Sequence, residues 1–204
     1  MGKRKYTLGQ RATTTEETRR RIVAATARLH ERIGPRETTI SAIADEAGVQ
    51  RLTVYRHFPD ETEIFKACSA HWLALNPLPD PVTWSHLEGH ERVRESLGRL
   101  YSYFRQTARM WDALYRDEPH VAALKMPMKR MRKYLEDIRD DLADHFDSGS
   151  VADNRVRITL GTALQYSMWQ SFACQKLDDI GAADLVCDWL RGVTQRPSSS
   201  RLRP

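Results

Sequence analysis

The sequence predicts an all-α protein, with a small N-terminal bundle of three helices followed by a larger helical domain. Apolar residues recur every three to four positions along most of the 204 residues, which is the period of an amphipathic helix. Alternating apolar and polar runs bounded by hairpin residues, which would indicate strands, persist nowhere in the sequence. Prolines and glycines separate the periodic segments, and there they end one helix and allow the next to begin.

Capping residues place the helices of the N-terminal part. Thr14 and Glu17 form a capping box that predicts the start of a first helix, which ends at Gly34. Thr39 is a good N-cap for a second helix, and Gly48 ends it. Two further helices are expected at about residues 50–57 and, with Asp60 as N-cap, at residues 61–76.

The rest of the chain is predicted to be helical after a proline-rich loop at residues 76–84. The segment 147–150, DSGS, interrupts the helical pattern once more. The predicted helices are Glu88–Met110, Trp111–Arg116, His120–Met126, Pro127–Phe146, Val151–Lys176 and Ala182–Gln195.

Positive charge is concentrated at the front of the chain. Residues 1–66 hold 13 Lys and Arg against 9 Asp and Glu, net +4, whereas residues 67–204 hold 19 against 18, net +1. Four basic residues precede the first acid, and Arg19–Arg21 follow closely. Such a cluster favours binding to a polyanion without giving a sequence preference. A solubilising, disordered tail is the alternative interpretation.

The turn at Gly48 joins the second and third of three short helices, which is the helix-turn-helix arrangement. On this pattern alone an ordinary helix pair within a bundle is an alternative. In a helix-turn-helix the later helix lies in the major groove of DNA, where arginine pairs with guanine, glutamine with adenine, and leucine meets a thymine methyl. Groups at helix ends suit phosphate oxygens. The candidate DNA-binding residues are Thr39, Gln50, Arg51, Leu52, Thr53, Tyr55, Arg56 and His57.

Residues 38–65, TTISAIADEAGVQRLTVYRHFPDETEIF, resemble the signature of the TetR family of transcription regulators. The shared features are Thr-Thr before a helix, Ile-Ala, Ala-Gly-Val, Thr-x-Tyr-x-x-Phe and an acidic helix start. The resemblance implies a homodimer whose heads bind a palindromic double-stranded DNA operator and whose larger bodies bind a small molecule and form the dimer. It assigns the phosphate-contacting cap to Thr39, base reading to residues 50–53, and DNA-backbone contacts to Tyr55 and His57.

Three positions depart from the pattern of this family. Glu61 stands where the family usually has a lysine that touches phosphate, Gln50 replaces a frequent serine cap, and Leu52 replaces a small residue. The first change removes a cation and adds repulsion. We expect the basic residues at the N-terminus to supply the missing charge.

The resemblance and the helix pattern together imply a two-domain organisation. The expected segments are a basic, flexible arm at 1–14, a helix-turn-helix DNA-binding domain at 15–66, a helical ligand-binding and dimerisation domain at 67–196, and a disordered tail at 197–204.

Aromatic and sulfur-containing side chains concentrate after residue 70. Most must pack in the core, but bulky side chains with a few polar atoms also line apolar cavities. We expect a small, largely apolar or aromatic effector. The candidate ligand-binding residues are Trp72, Tyr101, Phe104, Trp111, Met131, Tyr134, Tyr166 and Trp169.

The last two predicted helices carry apolar residues at helical spacing, and packing within the chain is one interpretation. The other is a homodimer seam of two helices from each subunit, which would hold two DNA-reading heads about 34 to 36 Å apart. The candidate interface residues are Tyr166, Gln170, Ala173, Leu177, Leu185, Val186, Trp189 and Val193.

Several functions find no support in the sequence. It has no GxSxG, HExxH, Walker or GxGxxG motif, so we predict neither catalytic residues nor a cofactor. The pairs His86 with His90 and Cys68 with His71 each fall two ligands short of a metal site. The charge-free segment 158–175 contains polar residues that a lipid-facing helix would have to desolvate, and the basic N-terminus has no apolar signal stretch behind it. We therefore expect a cytoplasmic protein without metal or membrane partners.

Two other classes of protein remain alternatives. An architectural or ligand-independent DNA-binding protein would have the same head and need no cavity. An enzyme would keep its turnover after Arg51 and Tyr55 are changed. In the expected mechanism the ligand shifts the helix that Asp60 caps and so changes the spacing of the two heads.

Overall fold

A computed structural model describes residues 3–146 and 153–194 of the protein. Its helices follow one another with short connections. No strand occurs in this described part, and the predicted all-α fold is confirmed. None of its helices combines the length and the apolar character needed to cross a membrane. The helices are α1 (Lys3–Ile33), α2 (Ile40–Ala47), α3 (Arg51–His57), α4 (Glu61–Leu75), α5 (Gly89–Asp117), α6 (Lys125–Asp144), α7 (Asp153–Ala163), α8 (Tyr166–Cys174) and α9 (Asp179–Thr194), with short 3₁₀ helices at Pro81–Trp84 and Ala122–Leu124.

The chain divides into two compact units. The first unit comprises Met1–Pro77 and Thr107–Lys129, and the second comprises Leu78–Gln106 and Arg130–Pro204. The boundary predicted after residue 66 falls inside α4, whose residues all belong to the first unit. The assignment of separate functions to residues 15–66 and 67–196 stays a prediction.

Helix α1 begins at Lys3, and its predicted start at Thr14 is wrong. The Thr14 carbonyl accepts a hydrogen bond from the Thr18 hydroxyl at 2.9 Å, as occurs inside a helix. The preference of threonine for a cap is weak enough for a continuing helix to override it. Most of the arm predicted at 1–14 is therefore helical, while the tail predicted at 197–204 lies outside the described residues.

The first unit is organised around the apolar face of α1, which packs on α2 and α4. Ile22 and Thr26 are fully buried and Leu29 is nearly so, as their spacing predicts. Ile33, predicted on the same face, is instead 38% exposed because it occupies the last turn of the helix. This packing supplies most of the stabilisation of the short helices in the unit, since isolated helices of seven or eight residues are unstable in water.

His30 continues the buried face of α1 and is only 3% exposed. Its Nδ1 lies 3.6 Å from Cys68 Sγ, its ring centroid lies 4.7 Å from that of Phe65, and its Nε2 has no hydrogen-bond partner. Burial lowers the pKa of His30 to about 4, and the carboxylate of Asp117 opposes this only partly. The imidazole is therefore neutral in the folded protein at neutral pH.

We expect the free energy of unfolding to fall as the pH drops from about 6.5 towards 4. Over this interval the unfolded chain binds a proton at His30 that the folded chain does not, and the full loss is about 3 kcal/mol. Above pH 6.5 this contribution is constant. Urea denaturation at several pH values measures the slope, and His30→Gln should flatten it. An unchanged slope in the variant would show that other groups are responsible.

The second unit is held together at its start by a buried arginine. Arg92 is 4% exposed, and it donates to both oxygens of Asp141 at 2.6 and 3.2 Å. Its Nη1 also donates to the carbonyls of Ser85 and Leu87, at 2.8 and 3.0 Å. One guanidinium thus joins α5, α6 and the loop before α5, while Trp84, fully buried, fills the adjacent core.

Several helices in the later part of the chain differ from their predictions. Helix α5 runs unbroken through Met110, since no proline or glycine lies near that residue to end it. The single helix predicted for Val151–Lys176 is instead two, because Gln165 has an extended backbone with φ −71° and ψ 139°. The segment expected at His120–Met126 is a 3₁₀ turn that leads into α6 at Lys125.

Candidate nucleic-acid interface

The turn between α2 and α3 has the geometry of a helix-turn-helix. The Thr39 hydroxyl accepts a hydrogen bond from Ala42 N at 3.1 Å and so caps the start of α2. Gly48 ends α2 with φ 65° and ψ 43°, a left-handed conformation that favours glycine. The amide of Val49 then donates to the Ala44 carbonyl at 2.9 Å, and α3 begins at Arg51. Local sequence thus fixes the tight connection that the pattern predicts.

Two side chains of the α3 segment anchor it to the core. Val54 is fully buried and Phe58 is 1% exposed. The remaining side chains of this segment form an outward-facing set. Gln50, Arg51, Leu52, Tyr55 and Arg56 are exposed, together with Thr39 at the start of α2, whereas Thr53 and His57 are half-buried.

Several groups on this outward face are uncommitted to the protein itself. Within the described residues neither Arg51 nor Arg56 forms an ion pair. Gln50 occupies the N-cap position of α3, but its side chain makes no capping hydrogen bond. Leu52 is 69% exposed, which is unusual for a large apolar side chain. These side chains are therefore available to a partner at no cost in intramolecular contacts.

His57 differs from most of the other candidate DNA-binding residues because it is half-buried and its backbone carbonyl accepts a hydrogen bond from Arg19. Burial, together with the nearby guanidinium groups of Arg19 and Arg56, lowers the pKa of His57. At neutral pH it can offer a ring N–H to a phosphate but no positive charge.

Two arginines of α1 hold the ends of α2 and α3. Arg19 Nη1 donates to the His57 carbonyl at 2.8 Å, and its guanidinium lies 4.1 Å from the centroid of the Phe58 ring. Arg21 Nη2 donates to the carbonyls of Ala47 and Gly48 at 2.5 and 3.2 Å. Cations at the C-terminal ends of helices are favourable because unpaired carbonyls concentrate negative charge there.

The run Arg19–Arg21 was expected to add to a polyanion-binding cluster. In the structure all three side chains are instead engaged by other groups of the chain. Arg20 pairs with Glu17 at 3.0 Å, and its two neighbours bind carbonyls of the chain. Sequence reasoning missed this positioning role because it counts charges without knowing which carbonyls they face.

We expect Arg19→Ala to lower the free energy of unfolding by about 1 to 3 kcal/mol, since it removes a charge-assisted hydrogen bond and a cation–π contact. Arg20→Ala is the matched control and should change it by less than about 0.5 kcal/mol, because its ion pair with Glu17 is exposed. Urea denaturation of both variants is the measurement. Equal effects would mean that Arg19 does not position α3.

Glu61, which departs from the pattern of the family, places an acidic side chain on the protein surface. Glu61 is exposed in the first turn of α4, and the Asp60 carboxylate caps that helix by accepting from Glu63 N at 2.9 Å. Acidic side chains stabilise a helix start. The same charge disfavours a nearby phosphate.

Four of the predicted ligand-binding residues are buried in the second unit, and we call them the aromatic cluster: Tyr101, Phe104, Tyr166 and Trp169. The Phe104 ring lies 5.1 Å from that of Tyr166 and 6.0 Å from that of Trp169. The Tyr101 hydroxyl donates to the Ala163 carbonyl at 2.8 Å, and burial raises the pKa of this phenol. The Tyr101 ring contacts Phe172, and all four side chains form part of the core.

The other four predicted lining residues lie elsewhere. Trp72 and Trp111 belong to the first unit, where their rings meet edge to face at 6.0 Å. Met131 is buried in the second unit, and the Tyr134 hydroxyl donates to the Pro79 carbonyl at 2.7 Å. The role of all eight residues in ligand binding stays a prediction.

The predicted interface residues divide by exposure. Tyr166 and Val186 are buried within the chain, so they can add almost no area to a dimer contact. Trp189 is 36% exposed, with its ring 5.8 Å from that of Phe172. The partly exposed members are Gln170, Ala173, Leu177, Leu185 and Val193.

Two exposed apolar residues near these helices were not predicted. Ile158 on α7 and Ile180 on α9 are each 60% exposed. Helical spacing identifies apolar faces but cannot tell which of two faces meets the core. Exposure of neighbouring large apolar side chains is the signal that only the structure supplies.

Cys68 does not have the surroundings of a metal ligand. Burial raises the pKa of its thiol to about 12, which disfavours the thiolate that binds metals. In the described part of the chain no group of three or more His, Cys, Asp or Glu side chains could hold a metal ion.

Residues 22–68 match the family described as bacterial regulatory proteins, tetR family. No curated protein matches the chain significantly in sequence. The fold is similar to that of a TetR-like regulator from Rhodococcus sp. RHA1, with 17% sequence identity, coverage of 88% of this chain and 97% of that chain, and a TM-score of 0.57. It is also similar to a tetR-family regulator from Streptomyces coelicolor, with 19% identity, coverage of 87% of this chain and 79% of that chain, and a TM-score of 0.56. A third similar structure is the regulator FadR of Bacillus subtilis in complex with stearoyl-CoA, with 14% identity, coverage of 83% of this chain and 96% of that chain, and a TM-score of 0.52.

Proposed function

We propose, from the premise that this chain is a TetR-family transcription regulator, that it represses transcription as a homodimer on a palindromic operator and that a small, largely apolar ligand releases it. The observation that carries the proposal is the outward face of α3. Arg51 and Leu52 are exposed there, and no ion pair within the described residues occupies Arg51.

In this proposal α3 reads the major groove and its flanks hold the DNA backbone. Arg51 pairs with a guanine, Gln50 with an adenine, and Leu52 contacts a thymine methyl. Side chains at the ends of the two helices contact phosphates, which position the head without specifying bases. The Thr39 hydroxyl suits this role because it accepts from Ala42 N and keeps its proton for a phosphate oxygen. Tyr55, Thr53, Arg56 and His57 complete the contact set.

The proposal of a homodimer rests on two requirements. A palindrome needs two heads related by a twofold axis, at a spacing of about 34 to 36 Å or a multiple of it. Exposed apolar side chains also favour burial against a partner, and Ile158 of α7 and Ile180 and Trp189 of α9 are such side chains. A four-helix seam is a common solution for such faces.

The ligand part of the proposal is supported by the aromatic residues of the second unit and by relatives. FadR of Bacillus subtilis has been solved with stearoyl-CoA, and the multidrug binding protein EbrR with imidazole. Release from DNA requires the ligand to favour one head spacing over another by about 1 to 3 kcal/mol. The aromatic cluster would have to open to admit it, which is a conformational cost that the ligand affinity includes.

Selection of bound fragments from random double-stranded DNA tests this function. We expect a palindromic consensus with half-sites separated by about one helical turn of 10 to 10.5 base pairs. Sedimentation of the free protein should give a dimer. Addition of small hydrophobic compounds identified by thermal shift should release the selected DNA. A protein with no preference for any duplex, even at low salt, would contradict the proposal, and equal operator binding with and without ligand would contradict its regulatory part.

A further inference from the structure

A polar groove lies within the first unit, between the last turns of α1 and the last turns of α5. Its volume is about 480 Å³. Pockets of this size accommodate metabolites and other small molecules. We call it the arginine groove, and it is lined by Arg28, Glu31, Arg32, Ile33, Gly34, Arg109, Asp112, Ala113 and Arg116.

The lining of the arginine groove is charged, with four arginines and two carboxylates, and the carboxylates of Glu46 and Asp117 pair with three of these arginines. Apolar side chains contribute only Ile33 and Ala113. An apolar effector of the kind proposed for the body would desolvate these charged groups, which is costly. The guanidinium N–H groups that the carboxylates leave unused favour an anionic ligand instead.

The guanidinium groups of the α1 side have spare capacity. Arg28 and Arg32 share a single carboxylate, that of Glu46, at 2.9 and 3.0 Å. Their side chains are 54% and 58% exposed. Exposed ion pairs of this kind are weak, so an anion in the groove can compete for the free N–H groups.

The guanidinium groups of the α5 side are arranged differently. Arg116 is fixed by donating to both oxygens of Asp117 and to the Ile33 carbonyl, which leaves its Nη1 unused. Arg109 is exposed and forms no ion pair with any residue that the structure describes. The groove therefore combines one preoriented arginine with one uncommitted arginine.

Gly34 keeps the floor of the groove open. Its φ is +90°, and a Cβ at this position would collide with the Arg116 guanidinium and the Asp117 carboxylate. Any larger residue would displace the preoriented arginine. The backbone at the end of α1 is thus shaped around the groove.

We propose that the arginine groove binds a small polyanion that carries phosphate or carboxylate groups. Arginine forms paired hydrogen bonds with both groups, and guanidiniums from two helices can engage one ligand from opposite sides. The bound anion would join the end of α1 to the end of α5. This site is independent of DNA binding and of the apolar effector.

Titration calorimetry on the full chain without DNA tests the site, with pyrophosphate and citrate as probes at constant ionic strength. We expect saturable binding of one probe per chain, and stronger binding of one of them identifies phosphate or carboxylate as the preferred group. Arg109→Gln should weaken binding roughly tenfold or more. Arg99→Gln, on the same helix and outside the groove, is the matched control and should bind as the wild type does.

Several results would overturn the proposal. One is the absence of saturable binding of either probe. Another is equal weakening in Arg109→Gln and Arg99→Gln, which would indicate a general charge effect. A third is unchanged probe binding in Arg109→Gln, which would show that the bound anion lies outside the groove. Because the calorimetry contains no DNA, failure here leaves the proposed function of the protein untouched.

Discussion

Replacing Arg92 by alanine is expected to lower the free energy of unfolding by about 3 to 5 kcal/mol, as the loss of one partner of a buried ion pair does. The side chain of Arg92 is 4% exposed and that of Asp141 31% exposed. The variant leaves the carbonyls of Ser85 and Leu87 without their donor. It also leaves a cavity beside the core, and both effects act in the same direction.

Arg94→Ala is the control for this prediction. Arg94 pairs with Asp184 at 2.5 Å, but these side chains are 49% and 52% exposed, so solvent screens their attraction. We expect a much smaller loss of stability than in Arg92→Ala. Urea denaturation followed by circular dichroism measures both variants. Similar losses in the two would show that burial does not govern the strength of these pairs, and a variant that fails to fold at all would agree with the larger value for Arg92.

Replacing Arg51 by alanine is expected to abolish the preference for one base pair in each half-site of the selected DNA. A bidentate arginine–guanine contact discriminates against the wrong base by about 1 to 3 kcal/mol, and a dimer makes it twice. The affinity for the best sequence should therefore fall by about 30-fold or more. Affinity for unrelated DNA should change little, apart from the loss of one charge per subunit.

Tyr55→Phe is the matched comparison for Arg51→Ala, since both side chains are exposed and neither change should alter stability. Removal of the Tyr55 hydroxyl should weaken all sequences by a similar factor, because a phosphate contact carries no base information. Binding to the selected operator and to each single-base variant of it, at fixed salt, distinguishes the two patterns. If Arg51→Ala reduced affinity for every sequence equally, Arg51 would be a phosphate contact and the assignment of α3 residues to bases would be wrong.

The helix-turn-helix could be predicted from sequence because local interactions determine it. Thr39 caps α2 with its own side chain, and Gly48 takes the left-handed conformation that a glycine allows. Val54 and Phe58 point inward because they lie four residues apart. Each of these features needs only a few neighbouring residues, so propensity and spacing are sufficient.

Features that depend on distant residues escaped prediction. Arg19 and Arg21 bind carbonyls 38 and 26 residues away, and no local pattern distinguishes them from solvent-exposed charges. The break at Gln165 divides a stretch whose composition favours one helix. Val186 was assigned to an interface and is buried in the chain, because a periodic apolar stripe does not say what it packs against.

The seven residues of α3 would not hold a helix in isolation. The buried side chains of Val54 and Phe58 and the guanidinium of Arg19 hold α3 in its orientation. The exposed side chains of α3 take no part in that support. The side chains that would contact DNA bases are thus different from those that hold α3 in place. A new operator preference could then arise by exchanging only the forward side chains, with the supporting framework left as it is.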